Sequence, residues 1–308
     1  MQILSGVGAA GRAGVAGYFA GGADSGGRLS RINKLAFPAE TISTLSATLT
    51  AVKKDNAGMA NSGTAGYIGG GSTATNVIDK ITFPADTKTT LSATLSGANE
   101  LLTGMADSGT AGYFGGGNTG GSFMSLIDKI TFPADTKTTL VATLSTGRQW
   151  LMAMENFSVG GYFGGGYDGA PISAIDKIAF PADTKSTLAA TMSFAGFQRT
   201  GLFDASVAGY FVGGTNGSVK QTGIDRIAFP SDTKTTLAAV LATATQSASG
   251  SGPCDSGVAG YMGGGFDTSI TVATITKLSY PAETTSTLAA TLTTATAEMA
   301  GFGNGGVY

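Results

Sequence analysis

One segment recurs six times along the chain at nearly constant spacing, and this repetition constrains the fold more than any other feature. A Gly-Tyr pair that leads into glycines marks each copy, with tyrosines 49, 46, 49, 48 and 51 residues apart. A proline keeps step with it, at spacings of 46, 49, 48, 49 and 51. Two independent landmarks in step establish a true repeat. They are Tyr18, Tyr67, Tyr113, Tyr162, Tyr210 and Tyr261, and Pro38, Pro84, Pro133, Pro181, Pro230 and Pro281.

Each copy contains four short segments with strand character, separated by turn signals. In the copy that begins near Leu101 they are LLTGMADS, AGYFGGG, LIDKITFP and TTLVATLS. Apolar and polar residues nearly alternate in the third segment and alternate cleanly in the fourth, which favours half-buried strands over a helix. Proline ends the third segment because it has no N–H for a ladder. The sequence therefore predicts an all-β chain.

Six copies of four strands at this spacing are typical of the blades of a β-propeller. A solenoid would also repeat, but its terminal copies differ from the others because they cap the stack. Here the first and last copies match the middle ones, which favours a closed ring. We therefore expect one domain over residues 1–308, a six-bladed β-propeller with four short antiparallel strands per blade. Its expected repeats span about 10–58, 59–104, 105–153, 154–201, 202–252 and 253–298.

The order of features within a copy resembles the kelch repeat over essentially the whole chain. A small apolar strand, a strand that ends in a Gly-Gly doublet, a strand that runs into a Pro-x-Asp/Glu-Thr turn and a short final strand follow the kelch order. The resemblance implies a kelch-like β-propeller. Kelch copies usually carry a tryptophan after the turn, whereas this sequence has leucine, so we expect a thinner core. The leucines are Leu45, Leu91, Leu140, Leu188, Leu237 and Leu288.

The first strand of the repeat occurs seven times if both ends of the chain are counted, although a ring of six blades has room for six. Propellers commonly close when one end completes a blade that the other end begins, because this pairs exposed edge strands. We expect residues 3–14 and residues 299–308 to compete for one innermost position. Residues 299–308 then form either a ring-closing strand or a docking strand.

Histidine is absent from the 308 residues, which removes many catalytic and metal-binding possibilities. Ser-His-Asp and Cys-His centres cannot form, and neither can histidine-ligated zinc, copper or iron sites. We predict no catalytic residues, no metal site and no cofactor. We expect the turn acids to bind backbone amides of their own turns, and the Asp-Lys steps to form a solvated ladder between blades. The turn acids are Glu40, Asp86, Asp135, Asp183, Asp232 and Glu283. The Asp-Lys steps begin at Asp79, Asp128 and Asp176, and Asp225 is the repeated acid at the same place in the next copy.

Other residue types that could suggest chemistry are better explained by the scaffold. Glycine runs such as residues 115–117 fit strand ends that need positive φ and a close approach between blades. Cys254 is the only cysteine, and we expect it to be a small buried side chain. We expect five methionines to line or plug the central channel. They are Met59, Met105, Met152, Met154 and Met299.

The segments between the glycine run and the third strand vary in length and content, whereas the scaffold repeats. They should emerge together at one face of the ring. Aromatic rings beside Asp and Asn side chains on such a face suit carbohydrate binding, and loops carry function more often than scaffolds do. The segment TGRQWLM, before one of the first strands, contains the only tryptophan, Trp150. The candidate ligand-binding residues are Phe123, Tyr167, Asp168, Phe266 and Asp267.

Charge and hydropathy narrow the expected partners. The formal charge is −2 and no run of Lys or Arg exists, so we expect no nucleic-acid partner. No apolar run approaches the roughly 20 residues that span a bilayer, so we expect no membrane insertion. No classical secretory signal is visible among the first residues. We expect a virion or an extracellular surface assembly as the location, and otherwise the cytoplasm.

The expected function is non-catalytic, with the propeller serving as a structural or adhesive module that contacts other virion or assembly proteins, or a receptor. Gly-, Ala- and Thr-rich propeller repeats of this simplicity resemble those in bacteriophage tail, fibre or capsid-attached proteins. A first alternative is a stand-alone lectin-like protein that binds a cell-surface glycan. A second alternative is a histidine-free glycosidase, which would need two carboxylates close together on one face.

Overall fold

The computed structural model describes residues 15–73, 75–247, 250–267 and 270–304. Within these ranges every regular element is a β-strand, and no helix is present. Most strands belong to six four-stranded antiparallel sheets, which we number 1 to 6 in chain order. The all-β prediction is therefore confirmed. None of the described residues forms a helix long and apolar enough to cross a membrane.

The strands of each sheet follow one another in the order first, second, third, fourth. In sheets 1 to 6 the first strands are Ala300–Gly303, Ala57–Asn61, Thr103–Asp107, Met152–Asn156, Thr200–Asp204 and Cys254–Asp255. The second strands are Ala16–Ala20, Ala65–Gly69, Ala111–Gly115, Gly160–Gly164, Ala208–Val212 and Ala259–Gly263. The third strands are Ile32–Ala36, Val77–Thr82, Ile127–Thr131, Ile175–Ala179, Ile224–Ala228 and Thr274–Ser279. The fourth strands are Thr41–Thr44, Thr87–Thr94, Thr136–Thr139, Thr184–Thr187, Thr233–Thr236 and Thr284–Thr291.

Three smaller sheets lie in the variable loops. Ala23–Asp24 pairs with Gly27–Arg28, and Asn118–Thr119 pairs with Ser122–Phe123. The third joins Thr245–Gln246, Phe266–Asp267 and Ile270–Thr271. These ribbons belong to the segments that vary between copies, so the loops add local structure to a constant scaffold.

Burial falls steadily across each sheet. The first and second strands are buried at almost every residue, the third strands alternate, and the fourth strands are exposed or half-buried. First strands of successive sheets contact one another. The core therefore lies between the faces of neighbouring sheets, with the first strands innermost and the fourth strands at the periphery.

The fourth strand is shorter than its sequence pattern suggests. The alternation in TTLVATLS predicts a strand over residues 138–145, whereas the observed strand is Thr136–Thr139. Beyond it Leu140 and Leu144 still turn inward and Val141 is fully exposed, so the alternation of burial continues without a ladder. Only sheets 2 and 6 carry the ladder further, to Thr94 and Thr291.

The glycine of each Gly-Tyr pair lets the first strand of a neighbouring sheet come close. A Cβ on Gly161 would overlap the Sδ atom of Met105, and one on Gly209 would overlap the Sδ atom of Met154. These methionines therefore fill the space between sheets, and our prediction that they line a central channel is wrong for them. The predicted role of the glycine runs is confirmed, because Gly116 and Gly117 have φ angles of 66° and 102°.

A hydrogen-bonded network joins each sheet to the next through the repeated tyrosine. The tyrosine hydroxyl donates to the turn acid of the following sheet, as in Tyr67 to Asp135 at 2.8 Å, and Lys80 donates to the same carboxylate at 2.6 Å. The turn acids therefore bind the neighbouring sheet, and our prediction that they bind their own turn amides is wrong. The other tyrosine–acid pairs are Tyr18–Asp86, Tyr113–Asp183, Tyr162–Asp232, Tyr210–Glu283 and Tyr261–Glu40.

The acids of the Asp-Lys steps, Asp79, Asp128 and Asp176, are buried, which corrects the prediction of a solvated ladder. The equivalent Asp225, which precedes an arginine, is fully buried and lies 3.0 Å from the guanidinium of Arg199, itself 2% exposed. Burial by itself would raise the pKa of Asp225, but Arg199 and hydrogen bonds from Ser193 lower it below its usual value. Asp176 is held in the same way by Arg148 at 3.1 Å.

The sixth copy departs from the others next to its first strand. Gly201 and residues 250 and 252 exchange backbone hydrogen bonds of 3.2 and 2.8 Å, while the Ser251 hydroxyl donates to the Gly104 carbonyl at 2.9 Å. Sheets 3 and 5 are not neighbours in chain order, so this segment bridges the first strands of two separate sheets. The longest repeat spacing, 51 residues, supplies the extra length.

The first strand of sheet 1 comes from the other end of the chain. Ala300–Gly303 pairs antiparallel with Ala16–Ala20, and Tyr18 lies opposite Phe302. Their rings stack with centroids 5.2 Å apart. Of the two segments predicted to compete for this position, residues 3–14 lie outside the described residues, as do residues 305–308.

Candidate functional site

One face of the molecule gathers the variable loops and the segments that enter the first strands. The second strands end there in the glycine runs, and the first strands begin there. We call it the loop face. All five candidate ligand-binding residues lie on it, and so does a cavity that the sequence did not predict.

Six residues on the loop face form a closed cycle of backbone hydrogen bonds, which we call the collar. Each donates its N–H to the carbonyl oxygen of the equivalent residue one copy earlier, at 2.7 to 3.0 Å. The cycle closes where Asp55 donates to Glu298 at 2.9 Å. The collar residues in chain order are Asp55, Leu101, Trp150, Gln198, Ser247 and Glu298.

Every collar residue has a left-handed backbone conformation, with φ between 54° and 61°. Non-glycine residues adopt this region rarely and at a cost, so the surrounding structure must enforce it. The cycle of hydrogen bonds supplies that constraint. The left-handed turn also points each N–H along the collar, which regular strand geometry would not do.

The collar surrounds a small cavity, the axial cup, with a volume of about 50 Å³. The side chains of five collar residues are half-buried, so the cup opens towards solvent, and Gly250 of the crossing segment lines it from below. Leu102, Leu151 and Met299 add apolar walls. The cup is thus a recess that the collar surrounds and that Gly250 lines.

Acidic groups dominate one side of the cup. The Lys54 ammonium lies 2.7 Å from a Glu298 oxygen and 3.5 Å from an Asp55 oxygen. Burial, together with the charges of Glu298 and Glu100 and against the opposing effect of Lys54, raises the pKa of Asp55 to about 7. Asp55 therefore carries a proton for part of the time at neutral pH.

Four aromatic rings meet beside the collar, and we call them the aromatic patch. Trp150 stacks on Phe197 with centroids 5.4 Å apart, and Tyr167 meets the edges of both rings at 6.0 and 5.4 Å. Phe123 contacts Tyr167 at 6.1 Å. All four residues are half-buried, so the patch offers ring surface to solvent while its members support one another.

The structure brings some of the predicted residues together and leaves others apart. Phe123 and Tyr167 belong to the aromatic patch, and Asp168 is exposed next to it. Phe266 and Asp267 lie in the small three-stranded sheet, where they pair with Gln246 and Thr245. The ring contacts among the described residues do not link Phe266 to the patch.

Sequence patterns did not reveal the collar or Phe197. The six collar residues share a backbone conformation but no chemical type, so a comparison of residue types between copies misses them. A constant offset could have identified them, because four of the six lie 12 residues before the repeated tyrosine, as Trp150 does before Tyr162. Variable residues at a fixed offset in a repeating scaffold are candidates for function.

The opposite end of the first strands holds a buried carboxyl group. Glu155 is 7% exposed and lies beside a cavity of about 20 Å³ with Phe203 and Ser251. Burial raises the pKa of Glu155 well above its usual value, although the Ala106 N–H opposes this shift. Cys254 lies nearby, and its predicted burial is confirmed at 1% exposure.

We expect Glu155→Gln to flatten the dependence of stability on pH. The folded chain keeps the Glu155 proton, whereas the unfolded chain releases it above about pH 4.5, so wild-type stability falls as the pH rises from there. The melting temperature of the variant minus that of wild type should be about 2–5 °C larger at pH 8 than at pH 4. Circular dichroism melts from pH 4 to 8 measure this difference. Melting temperatures of the two proteins that change in parallel with pH would contradict the prediction.

Comparisons with known proteins inform the fold alone. No protein-family model matches the chain, and no curated protein matches it. Among solved structures, that of YjhT is similar, with a TM-score of 0.65 and 12% identity over 81% of this chain and 87% of YjhT. The fold is all-β and β-propeller-like.

In the described residues, no three acidic or cysteine side chains come together as metal ligands.

Proposed function

We propose that the chain is a six-bladed, kelch-like β-propeller that serves as a non-catalytic adhesive module of a surface assembly, such as a bacteriophage particle. Contacts that link sheet 6 back to sheet 1 support the ring. Tyr261 donates to Glu40 at 2.9 Å and stacks on Phe37 at 5.0 Å, as its counterparts do between all other neighbours. The hydrogen bonds of the collar also link the six copies in chain order and join the last copy to the first.

The observation that carries the adhesive function is the aromatic patch. Rigid aromatic rings anchor recognition because they offer large contact areas at low entropic cost. The patch spans two consecutive copies, and its rings contact one another directly. A surface of this kind fits the apolar face of a sugar ring or a flat protein surface, and Asp168 beside it can accept hydrogen bonds from hydroxyl groups.

The lectin-like alternative draws on the same patch, because ring faces beside an exposed carboxylate suit a glycan. We favour a receptor glycan as the ligand of the adhesive module. The glycosidase alternative has one observation in its favour, the approach of Asp55 and Glu298 to one ammonium. The Lys54 ammonium lies between these two carboxylates and neutralises part of their charge, so we propose binding and not hydrolysis.

The proposal predicts that Tyr167→Ala weakens glycan binding about tenfold or more, as truncation of an anchoring aromatic commonly does. Binding is screened on a glycan array and then measured by titration calorimetry with the best ligand. Phe266→Ala is the matched control, because Phe266 follows a glycine triplet and precedes an aspartate just as Tyr167 does, yet lies outside the patch. It should bind like wild type.

A wild-type affinity retained by both Tyr167→Ala and Trp150→Ala would overturn the role of the patch. If the array gives no ligand, binding of the labelled protein to cells and to purified assembly proteins tests adhesion directly, with the same variants. Loss of cell binding in the patch variant Tyr167→Ala, with binding kept by the control Phe266→Ala, supports a receptor contact through the patch. Equal cell binding by all variants contradicts it.

A further inference from the structure

We propose that the axial cup binds a primary ammonium group, which is the chemistry of a small alkylamine or of a lysine side chain. This site shares Trp150 with the aromatic patch, but it does not rest on the proposed adhesive function. Its occupant is inferred from the charge balance, an unsatisfied hydroxyl and the shape of the cup.

Two carboxylates line the cup, and the one guanidinium among the residues lining it, that of Arg199, is paired with Asp225. The carboxylates of Asp55 and Glu298 face it, and Lys54 supplies the one ammonium that reaches both. Glu100 adds a third negative charge close enough to affect Asp55. A further cation would meet net negative charge in a partly desolvated place, where attraction is stronger than in bulk water.

A buried hydroxyl points to the same conclusion independently of the acids. Ser247 is 7% exposed and lines the cup, yet its Oγ atom has no hydrogen-bond partner among the described residues. A buried hydroxyl without a partner is costly and unusual in native structures. An ammonium group in the cup would donate to it, because an ammonium has three hydrogens to share.

Size and apolar walls select the rest of the ligand. A volume of about 50 Å³ admits an ammonium with a short stem. Leu101 and Met299 line the cup and can contact a methylene stem. Polyvalent metals are a poorer match, since the described acids do not form a metal-ligand cluster.

The test is titration calorimetry of the full chain with n-butylamine and with Nα-acetyl-lysine methylamide. Asp55 loses its residual proton when a cation enters, so affinity should rise between pH 6 and 8 and protons should be released. Binding of both probes indicates a lysine side chain, and binding of n-butylamine alone indicates a free amine. Either result supports the proposal.

Three variants make the test specific. Asp55→Asn should lower the affinity about tenfold or more and remove its pH dependence, because the charge-assisted hydrogen bond is lost. Lys54→Met should raise the affinity, since the competing ammonium of the chain itself is gone. Asp24→Asn changes an acid on the same face outside the cup and should bind like wild type.

The proposal is overturned if neither amine binds to folded protein. It is also overturned if sodium or calcium chloride displaces the amines at equal concentration, which would indicate an inorganic cation site. A melting curve for each variant establishes that it is folded before binding is measured. Asp55→Asn removes a buried charge with a raised pKa, so we expect it to fold at least as well as wild type.

Discussion

Replacing Arg199 with methionine is expected to lower the free energy of unfolding by about 3–5 kcal/mol, the usual cost of breaking a buried ion pair. Arg199 donates to the carbonyl oxygens of Gly213 at 2.9 Å and Phe211 at 3.0 Å, and to Asp225 at 3.0 Å. Methionine fills much of the space but leaves Asp225 buried without its principal cation. Two buried carbonyl oxygens also lose their partner.

Urea unfolding followed by circular dichroism measures this loss. Arg28→Met is the control, because Arg28 is exposed in a small loop ribbon, and we expect its midpoint to stay within error of wild type. The pKa of Asp225 is lowered in the folded state, so its contribution is present above the unfolded value near 3.8 and is lost as the pH falls. The difference in the free energy of unfolding between wild type and Arg199→Met should therefore become smaller at acid pH. A loss below about 1 kcal/mol at pH 7 would contradict the prediction.

Local patterns along the sequence predicted the strands well because each copy repeats the same local signals. The glycine runs predicted positive φ, which Gly116 and Gly117 show. The repeated tyrosine was recognised as a landmark, but its partner was not. Tyr67 binds Asp135 in the next copy, and a repeat pattern gives the position of a residue within its copy without saying which copy it touches.

The candidate site was harder to predict, because it too depends on which copies touch each other. Phe123 and Tyr167 were identified from variable loops, and they do touch. Phe197 was missed, because only the arrangement of neighbouring sheets brings it 5.4 Å from Trp150. The collar depends on a backbone conformation that Leu101 and Glu298 share in spite of their different chemistry. Residue types carry no signal of such a feature.

Removal of residues 299–308 is expected to abolish cooperative folding or to lower the melting temperature by more than about 10 °C. The deletion takes away Ala300–Gly303, the first strand of sheet 1, and with it Phe302, which is 3% exposed and stacks on Tyr18. Loss of one buried phenylalanine costs about 3–5 kcal/mol, a large part of the 5–15 kcal/mol that stabilises a typical domain. Asn304, which accepts from the Gly63 N–H at 2.5 Å, is lost as well.

Deletion of residues 305–308 is the matched control, because it shortens the same end and keeps the paired strand. We expect it to melt close to wild type. Light scattering then separates two explanations of the larger deletion. An unfolded or aggregated product means that the strand holds sheets 6, 1 and 2 together, as a closed six-bladed ring requires. A folded monomer with an unchanged melting temperature would mean that the terminal strand is dispensable, and the proposal of a ring closed by this strand would fail. Addition of a peptide of residues 299–308 to the truncated chain should restore the melting transition, because the vacant edge of Ala16–Ala20 keeps its register for that strand.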